Sequence, residues 1–132
     1  MKRDDLIIVR GGGDLATGTI HWLWAAGLRV LVLEIENPAA IRRQVALCEA
    51  VYTKTTEVEG LRAVRIDRYE EAEAVWQENS VPILIDPKGV SIGALKPAVV
   101  IDAILAKRNL GTHMADAPLV IGVGPGFTAG ED

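Results

Sequence analysis

The feature that most constrains the fold is a run of glycines at residues 11–13, placed between two apolar segments. Residues 6–9 form a short, continuous apolar run, which predicts a strand covered on both faces of a sheet. After the glycines, apolar residues return at helical spacing, and residues 30–35 form a second apolar run. Gly27, between them, suits the left-handed position that ends a helix. The stretch therefore predicts a βαβ unit with a glycine turn at the start of its helix.

The alternation of apolar runs with helical patterns continues along the chain. It predicts further strands at residues 63–66, 81–86, 98–101 and 119–123, helices at residues 39–51 and 70–78, and a helical turn at residues 91–95. Residues 52–67 are predicted to be extended with a turn around Gly60, and residues 107–118 to form an irregular loop. Such a pattern predicts an α/β fold, namely a single Rossmann-like domain with a three-layer sandwich and a mostly parallel sheet.

Composition excludes several classes of protein. The length of 132 residues suits one domain, and a net charge of -4 gives no basic surface for nucleic acid. No apolar run approaches the roughly 18 residues that a membrane-spanning helix needs. Asp4 and Asp5 stand where an export signal would be apolar. We therefore expect a cytoplasmic protein that binds neither nucleic acid nor a membrane.

Several residues that carry chemistry in other proteins are interpreted here as structural. His21 and His113 are far apart in sequence, and we predict no metal site. Cys48, the only cysteine, rules out an intrachain disulfide and is interpreted as a small core residue. The tryptophans are interpreted as packing residues, with Trp24 a weak candidate for an exposed interface position; they are Trp22, Trp24 and Trp76.

The glycine turn matches a nucleotide-binding pattern, G-x-G-x-x-G/A, at Gly11, Gly13 and Ala16. The first glycine permits the turn, the second lets a phosphate approach the backbone, and the small third residue lets the helix pack on the strand. Unpaired N–H groups and the positive end of the helix would then hold an anion. Gly11, Gly12 and Gly13 are therefore candidate cofactor-binding residues.

The charged residues around the turn can be interpreted in more than one way. Glu34 lies near the end of the second strand, where a carboxylate binds a ribose hydroxyl, and Glu36 is the alternative on the same face. Asp14 is a further candidate contact, although its carboxylate would repel a phosphate unless it caps the helix, binds a metal or faces away. Arg10, at the carboxyl end of the first strand, is either a ligand contact or half of a salt bridge.

A second glycine-rich stretch, residues 122–132, follows the last predicted strand and should lie at the same edge of the sheet. Consecutive N–H groups in such a turn form an anion-binding nest, with Gly124 and Gly126 as candidates. Lys107 and Arg108 are expected near that edge as well. No helix follows the last strand, so we expect a second copy of the chain, or a further part of a longer protein, to cover it.

Four segments, in this order, resemble the selenium-dependent molybdenum hydroxylase accessory protein family: VRGGGDLATG, NPAAIRRQVALCEAVY, DAILAKRNLGT and GPGFTAGED. That family is related to the nucleotide-binding half of xanthine dehydrogenase accessory proteins. The resemblance implies a Rossmann-like fold and a role in maturing molybdenum-containing hydroxylases, with an apo molybdenum hydroxylase as partner. It also implies a small-molecule nucleotide or pterin as ligand, such as the molybdenum cofactor (molybdopterin or its nucleotide form).

The resemblance covers essentially all 132 residues, and family members continue past the second glycine loop, so we expect this chain to match the N-terminal half of a longer pattern. It supplies no catalytic residue. The matching positions are residues 10–18, Arg42, Arg43, Asp102, residues 107–111 and residues 124–130. The leading hypothesis is a binding and maturation factor. The alternatives are an NAD(P)-dependent oxidoreductase that uses residues 11–16 and Glu34, and an interaction module without a ligand.

Overall fold

A computed structural model describes residues 5–36, 46–103 and 118–122, without the side chains of residues 14 and 15. The strands are β1 (Leu6–Arg10), β2 (Arg29–Glu34), β3 (Thr55–Val58), β4 (Leu61–Ile66), β5 (Val81–Ile85), β6 (Val99–Asp102) and β7 (Leu119–Gly122). The helices are α1 (Asp14–Ala25), α2 (Ala50–Thr53), α3 (Ala72–Gln77) and α4 (Val90–Leu95), with 3₁₀ turns at Leu47–Glu49 and Tyr69–Glu71.

The described strands form one open sheet in the order β3-β4-β5-β2-β1-β6-β7. All neighbours pair in parallel except β3 and β4, which are antiparallel. The predicted α/β fold with a mostly parallel sheet is confirmed. Strand β2 pairs with one edge of β1, and β6 pairs with the other edge of β1. A crevice at the carboxyl ends of the strands is expected where the strand order reverses in this way.

Helices cover both faces of the sheet, as a three-layer sandwich requires. Side chains of a strand alternate between faces, so Ile7 and Val9 of β1 pack in the cluster with α1, whereas Ile8 packs in the cluster with α3 and α4. All three side chains are at most 1% exposed. The continuous apolar run at residues 6–9 therefore reflects a central strand that is buried on both faces.

Helix α1 forms where the apolar spacing predicts it. Ala16 and Ile20 are buried, and Leu23 packs against the same cluster. The helix is followed by Gly27 at a φ of 84°, and the Gly27 N–H donates to the Trp24 carbonyl at 2.9 Å. Among the described residues, no helix combines the length and the apolar character needed to cross a membrane.

The antiparallel pair β3–β4 is a hairpin with a two-residue turn. Glu59 and Gly60 both have positive φ, 49° and 84°, as a turn of type I′ requires. Val58 and Leu61 pair directly across the turn. The predicted turn around Gly60 is confirmed.

The predicted helix at residues 39–51 differs from the structure. Residues 37–45 lie outside the described ranges, but Ala46 is extended, with φ of -114° and ψ of 130°, and a 3₁₀ turn begins at Leu47. The N–H groups of Leu47 and Cys48 donate to Thr17 Oγ1 and to the Gly12 carbonyl, so they are not available to a continuous helix. Helix α2 then includes Tyr52, which the sequence pattern had placed in an extended segment.

Asp86 holds the turn between β5 and α4. Its Oδ1 accepts a hydrogen bond from the Val90 N–H at 3.0 Å, and its Oδ2 accepts one from the Ser91 N–H at 2.8 Å. Gly89 precedes the helix at a φ of 68°, which favours glycine. The carboxylate thus satisfies two N–H groups that a helix start leaves without a partner.

We expect Asp86→Ala to lower the free energy of unfolding by about 1 kcal/mol, the usual loss when a capping side chain is removed. Urea denaturation followed by circular dichroism measures it. Asp67→Ala, at an exposed position after β4, is the control and should change the free energy by less than about 0.5 kcal/mol. Equal stability of the two variants would contradict a capping role for Asp86.

Candidate functional site

The candidate site lies at the carboxyl ends of the central strands. Residues 11–13 connect β1 to α1 at this edge. Strand β2 ends beside β1 at Glu34, and β6 ends on the other side of β1 at Asp102. The glycine turn is therefore at the place where ligands bind in open parallel sheets.

The backbone of the turn has the geometry that its glycine pattern predicts. Gly11 has a φ of 98°, a conformation that favours glycine, and its N–H donates to the Leu33 carbonyl at 2.8 Å. Gly13 is extended and precedes the first residue of α1. A Cβ added at Gly13 would meet no atom of the described residues within 4 Å, so this part of the chain leaves the backbone open to a ligand there. Ala16 is buried, as the small third residue of the pattern should be.

A glycine is required at position 12 because the backbone of the turn packs closely there against other parts of the chain. Its carbonyl accepts a hydrogen bond from the Cys48 N–H at 2.8 Å. A Cβ added at Gly12 would lie 3.2 Å from Cys48 N and 3.3 Å from Cγ1 of Val32. The Gly12 N–H donates to Oε2 of Glu34 at 2.7 Å. Gly12 therefore joins β2 and the segment before α2 to the turn.

Glu34, rather than Glu36, is the carboxylate beside the turn. Glu34 is 9% exposed, and its Oε1 accepts a hydrogen bond from the Ile35 N–H at 3.0 Å. Glu36 lies after the strand and is exposed. Each oxygen of the Glu34 carboxylate has a further lone pair, so the group keeps the capacity to accept a hydrogen bond from a ligand hydroxyl.

Thr17 also holds the turn, and sequence reasoning missed it. The buried Thr17 hydroxyl donates to the Gly13 carbonyl at 2.7 Å and accepts from the Leu47 N–H at 2.9 Å. A threonine in the first turn of a helix commonly bonds back to the carbonyl four residues earlier. That preference, applied to the residue four positions after Gly13, is the signal that would have found it.

The start of α1 is open in the described part of the chain. Gly13 occupies the N-cap position, where no side-chain hydrogen bond caps the helix, and Asp14 is the first helical residue. The alternative in which Asp14 is the N-cap is therefore wrong, because the chain is still extended at Gly13 and already helical at Asp14. The first N–H groups of a helix have no partner within it, and together with the helix dipole they favour an anion.

Arg10 and Asp102 lie at the same edge but project from the sheet face opposite α1. Both are buried, at 1% and 2% exposure, and they are paired positions on β1 and β6. The Arg10 guanidinium donates from Nη2 to the Pro87 carbonyl at 2.9 Å, beneath the turn that leads into α4. The structure thus separates Arg10 from the α1 face, where Glu34 meets the glycine turn. A ligand contact by Arg10 stays a prediction.

The remaining candidates of the sequence pattern lie outside the described residues, and their roles stay predictions; they are Lys107, Arg108, Gly124, Gly126, Arg42 and Arg43. Within the described ranges, no group of three or more His, Cys, Asp or Glu residues is arranged to hold a metal ion. The described site therefore consists of the glycine turn, the start of α1, and the three side chains of Glu34, Thr17 and Ala16.

Gly12 and Gly13 are adjacent in the turn, but an alanine substitution should destabilise the fold much more at Gly12 than at Gly13. We expect Gly12→Ala to lower the free energy of unfolding by about 1–3 kcal/mol, because the new methyl group meets the Cys48 backbone. Gly13→Ala should cost less than about 1 kcal/mol, since its methyl group enters open space at an N-cap position. Chemical denaturation of the two variants measures the difference. Equal losses would contradict the packing role of Gly12.

The chain is similar to the protein named "Uncharacterized protein YqeB" of Escherichia coli (strain K12), with 43% identity over 127 residues. The matched region is 96% of this chain and 24% of that protein. The chain thus spans about a quarter of the length of the curated relative it matches. No family model matches the chain, and no solved structure matches it.

Proposed function

We propose that this chain binds a phosphate-bearing nucleotide or pterin at the glycine turn and acts as an accessory factor in maturing molybdenum-containing hydroxylases. The observation that carries the proposal is the backbone at Gly13, which no described residue covers, directly before the start of α1, where the N-cap residue has no side chain to cap the helix. The N–H groups there suit a phosphate, as they do in other strand–turn–helix sites. The resemblance of four sequence segments to the accessory protein family supports the maturation role.

The described residues fit the phosphate-bearing part of a molybdenum cofactor. The start of α1 would hold the phosphate, and Thr17 would fix the Gly13 carbonyl and so keep the turn in place. Glu34 would accept a hydrogen bond from a hydroxyl of the ligand while it holds the Gly12 N–H. When bound, the molybdenum cofactor supplies the redox centre of the hydroxylase that receives it. The role proposed for this chain is to bind and orient.

An NAD-dependent oxidoreductase is the second candidate, and Glu34 is the observation that favours it. A carboxylate at the end of the second strand accepts hydrogen bonds from the ribose of NAD and disfavours the 2′-phosphate of NADP. Both candidates use the same turn, so the identity of the tightest ligand distinguishes them.

Equilibrium dialysis of the full chain against NAD, cytidine nucleotides and molybdopterin tests the proposal. We expect molybdopterin or a cytidine nucleotide to bind more tightly than NAD. Tightest binding of NAD would support the oxidoreductase instead. Binding of none of these ligands by a folded chain would contradict both, and would leave the interaction module as the remaining hypothesis.

The same assay with Gly13→Val tests the position of the site. The valine side chain would fill the open space over the turn, so we expect at least a tenfold loss of affinity, equivalent to about 1.4 kcal/mol. Gly18→Val makes the same change at an exposed position on α1 and is the control, expected to bind as the wild type does. A folded Gly13→Val variant with unchanged affinity would show that the phosphate binds elsewhere.

The proposal extends to a cytoplasmic location, an apo-hydroxylase partner and self-association. Strand β7 supports the last of these, because Leu119 and Ile121 are 50% and 42% exposed, and no described strand pairs with the outer edge of β7. Apolar edge strands of this kind invite pairing with another chain.

We expect sedimentation equilibrium at micromolar concentration to show self-association that the double variant Leu119→Lys/Ile121→Lys weakens, because charges on an edge strand oppose pairing. Val90→Lys changes an apolar residue that is 71% exposed on α4, and should leave the association unchanged. A monomeric wild type would refute the self-association.

A further inference from the structure

A cavity lies at the amino edge of the sheet, opposite the glycine turn. It has a volume of about 300 Å³ and lies between the ends of α1 and α3 and the starts of β2 and β5. Its walls include two indole rings and a pair of opposite charges, from Trp24, Trp76, Arg29 and Glu73. Ligand sites in proteins range from about 300 to 1,000 Å³, so this cavity suits a small molecule.

Both indole rings are held in place by hydrogen bonds to the backbone. Trp24 Nε1 donates to the Asn79 carbonyl at 3.0 Å, and Trp76 Nε1 donates to the Val30 carbonyl at 2.9 Å. The His21 ring also packs edge-on against Trp24, with 5.5 Å between ring centroids. Because the indole N–H groups are already used, the rings offer a ligand only their apolar surfaces. The two rings thus supply the apolar part of a lining that also includes the polar side chains of Arg29 and Glu73.

The ion pair in the cavity is accessible to a ligand. Arg29 Nη1 lies 3.3 Å from Glu73 Oε2, and the two side chains are 39% and 50% exposed. The Arg29 guanidinium also lies 5.4 Å from the centroid of the Trp76 ring. Arg29 Nη2 also donates to Glu73 Oε1 at 3.3 Å, so the pair has two contacts. Both side chains are partly exposed, and each keeps further hydrogen-bonding capacity for an opposite charge on a ligand.

The end of α1 adds negative potential to the cavity. Helices α1 and α3 both end at the cavity, and neither has a basic residue in its last turn. The carbonyl end of a helix carries a partial negative charge that favours a cation. An ammonium group near Glu73 would therefore be attracted by the Glu73 carboxylate and by the end of α1, while Arg29 would attract a carboxylate.

We propose that this cavity binds a small zwitterion, an α-amino acid with an apolar or aromatic side chain. Its ammonium group would pair with Glu73 and its carboxylate with Arg29, and its side chain would pack against the indole rings. An α-amino acid carries its two charges on adjacent groups, which matches the close spacing of Arg29 and Glu73. The site is separate from the glycine turn, and the inference does not depend on the function proposed there.

Titration of the full chain with L-phenylalanine, followed by tryptophan fluorescence and calorimetry, tests the proposal. The variant Trp22→Phe removes the emission of a tryptophan that is 75% exposed and does not line the cavity. We expect phenylalanine to bind. Phenethylamine lacks the carboxylate, N-acetylphenylalanine lacks the ammonium group and glycine lacks the side chain, so each should bind at least about tenfold more weakly, the loss of one charge-assisted hydrogen bond or of the apolar contact.

The variants Arg29→Gln and Glu73→Gln should each weaken phenylalanine binding by about tenfold or more. Arg62→Gln and Glu70→Gln remove the same charges at exposed positions away from the cavity and should bind as the wild type does. Denaturation curves confirm that all four variants fold. No binding of phenylalanine, equal binding of phenethylamine or N-acetylphenylalanine, or equal losses in the control variants would overturn the proposal.

Discussion

The hydrogen bonds of Gly12 are the interaction on which the rest of the carboxyl edge depends. Its N–H donates to Glu34 at the end of β2, and its carbonyl accepts from Cys48 in the segment before α2. These two bonds join the glycine turn, the end of β2 and the segment before α2 next to the start of α1. They are possible only because no side chain stands between Gly12 and the Cys48 backbone. Two backbone N–H groups in turn donate hydrogen bonds to the buried carboxylate of Glu34, so this polar group is not left without partners.

Much of this fold could be predicted from the sequence, because its central strands contain continuous apolar runs and the buried residues of its first helix recur at helical spacing. Ile8 and Val9 require cover on both faces, and together with the helical patterns between the strands that requirement implies a sheet between two layers of helices. The segment around Ala46 could not be predicted in the same way. Its apolar spacing suits a helix, but the N–H groups of Leu47 and Cys48 bond to Thr17 and to the glycine turn, partners at least 30 residues away in sequence. Local patterns do not contain such distant partners.

Only part of the site could be predicted from the sequence, because the rest depends on the three-dimensional structure. Gly11 and Ala16 follow from a pattern with a known mechanical role, and Glu34 follows from its distance along the chain. The choice between Glu34 and Glu36 needed the end of β2, which only the three-dimensional structure defines. The tryptophans show the limit most clearly. Trp24 and Trp76 come from different layers and meet at a cavity that no sequence spacing reveals, and Trp22 is the exposed member rather than Trp24.

The length of strand β2 can scarcely change without disrupting the structure at both of its ends. It begins at Arg29, beside the cavity, and ends at Glu34, beside the glycine turn, so six residues span about 20 Å between the two edges of the sheet. Side chains of a strand alternate between faces, and a shift of one residue would move Glu34 to the other layer and bury a charge among apolar groups. Insertions and deletions should therefore be tolerated in the hairpin turn between β3 and β4 but strongly selected against within β2.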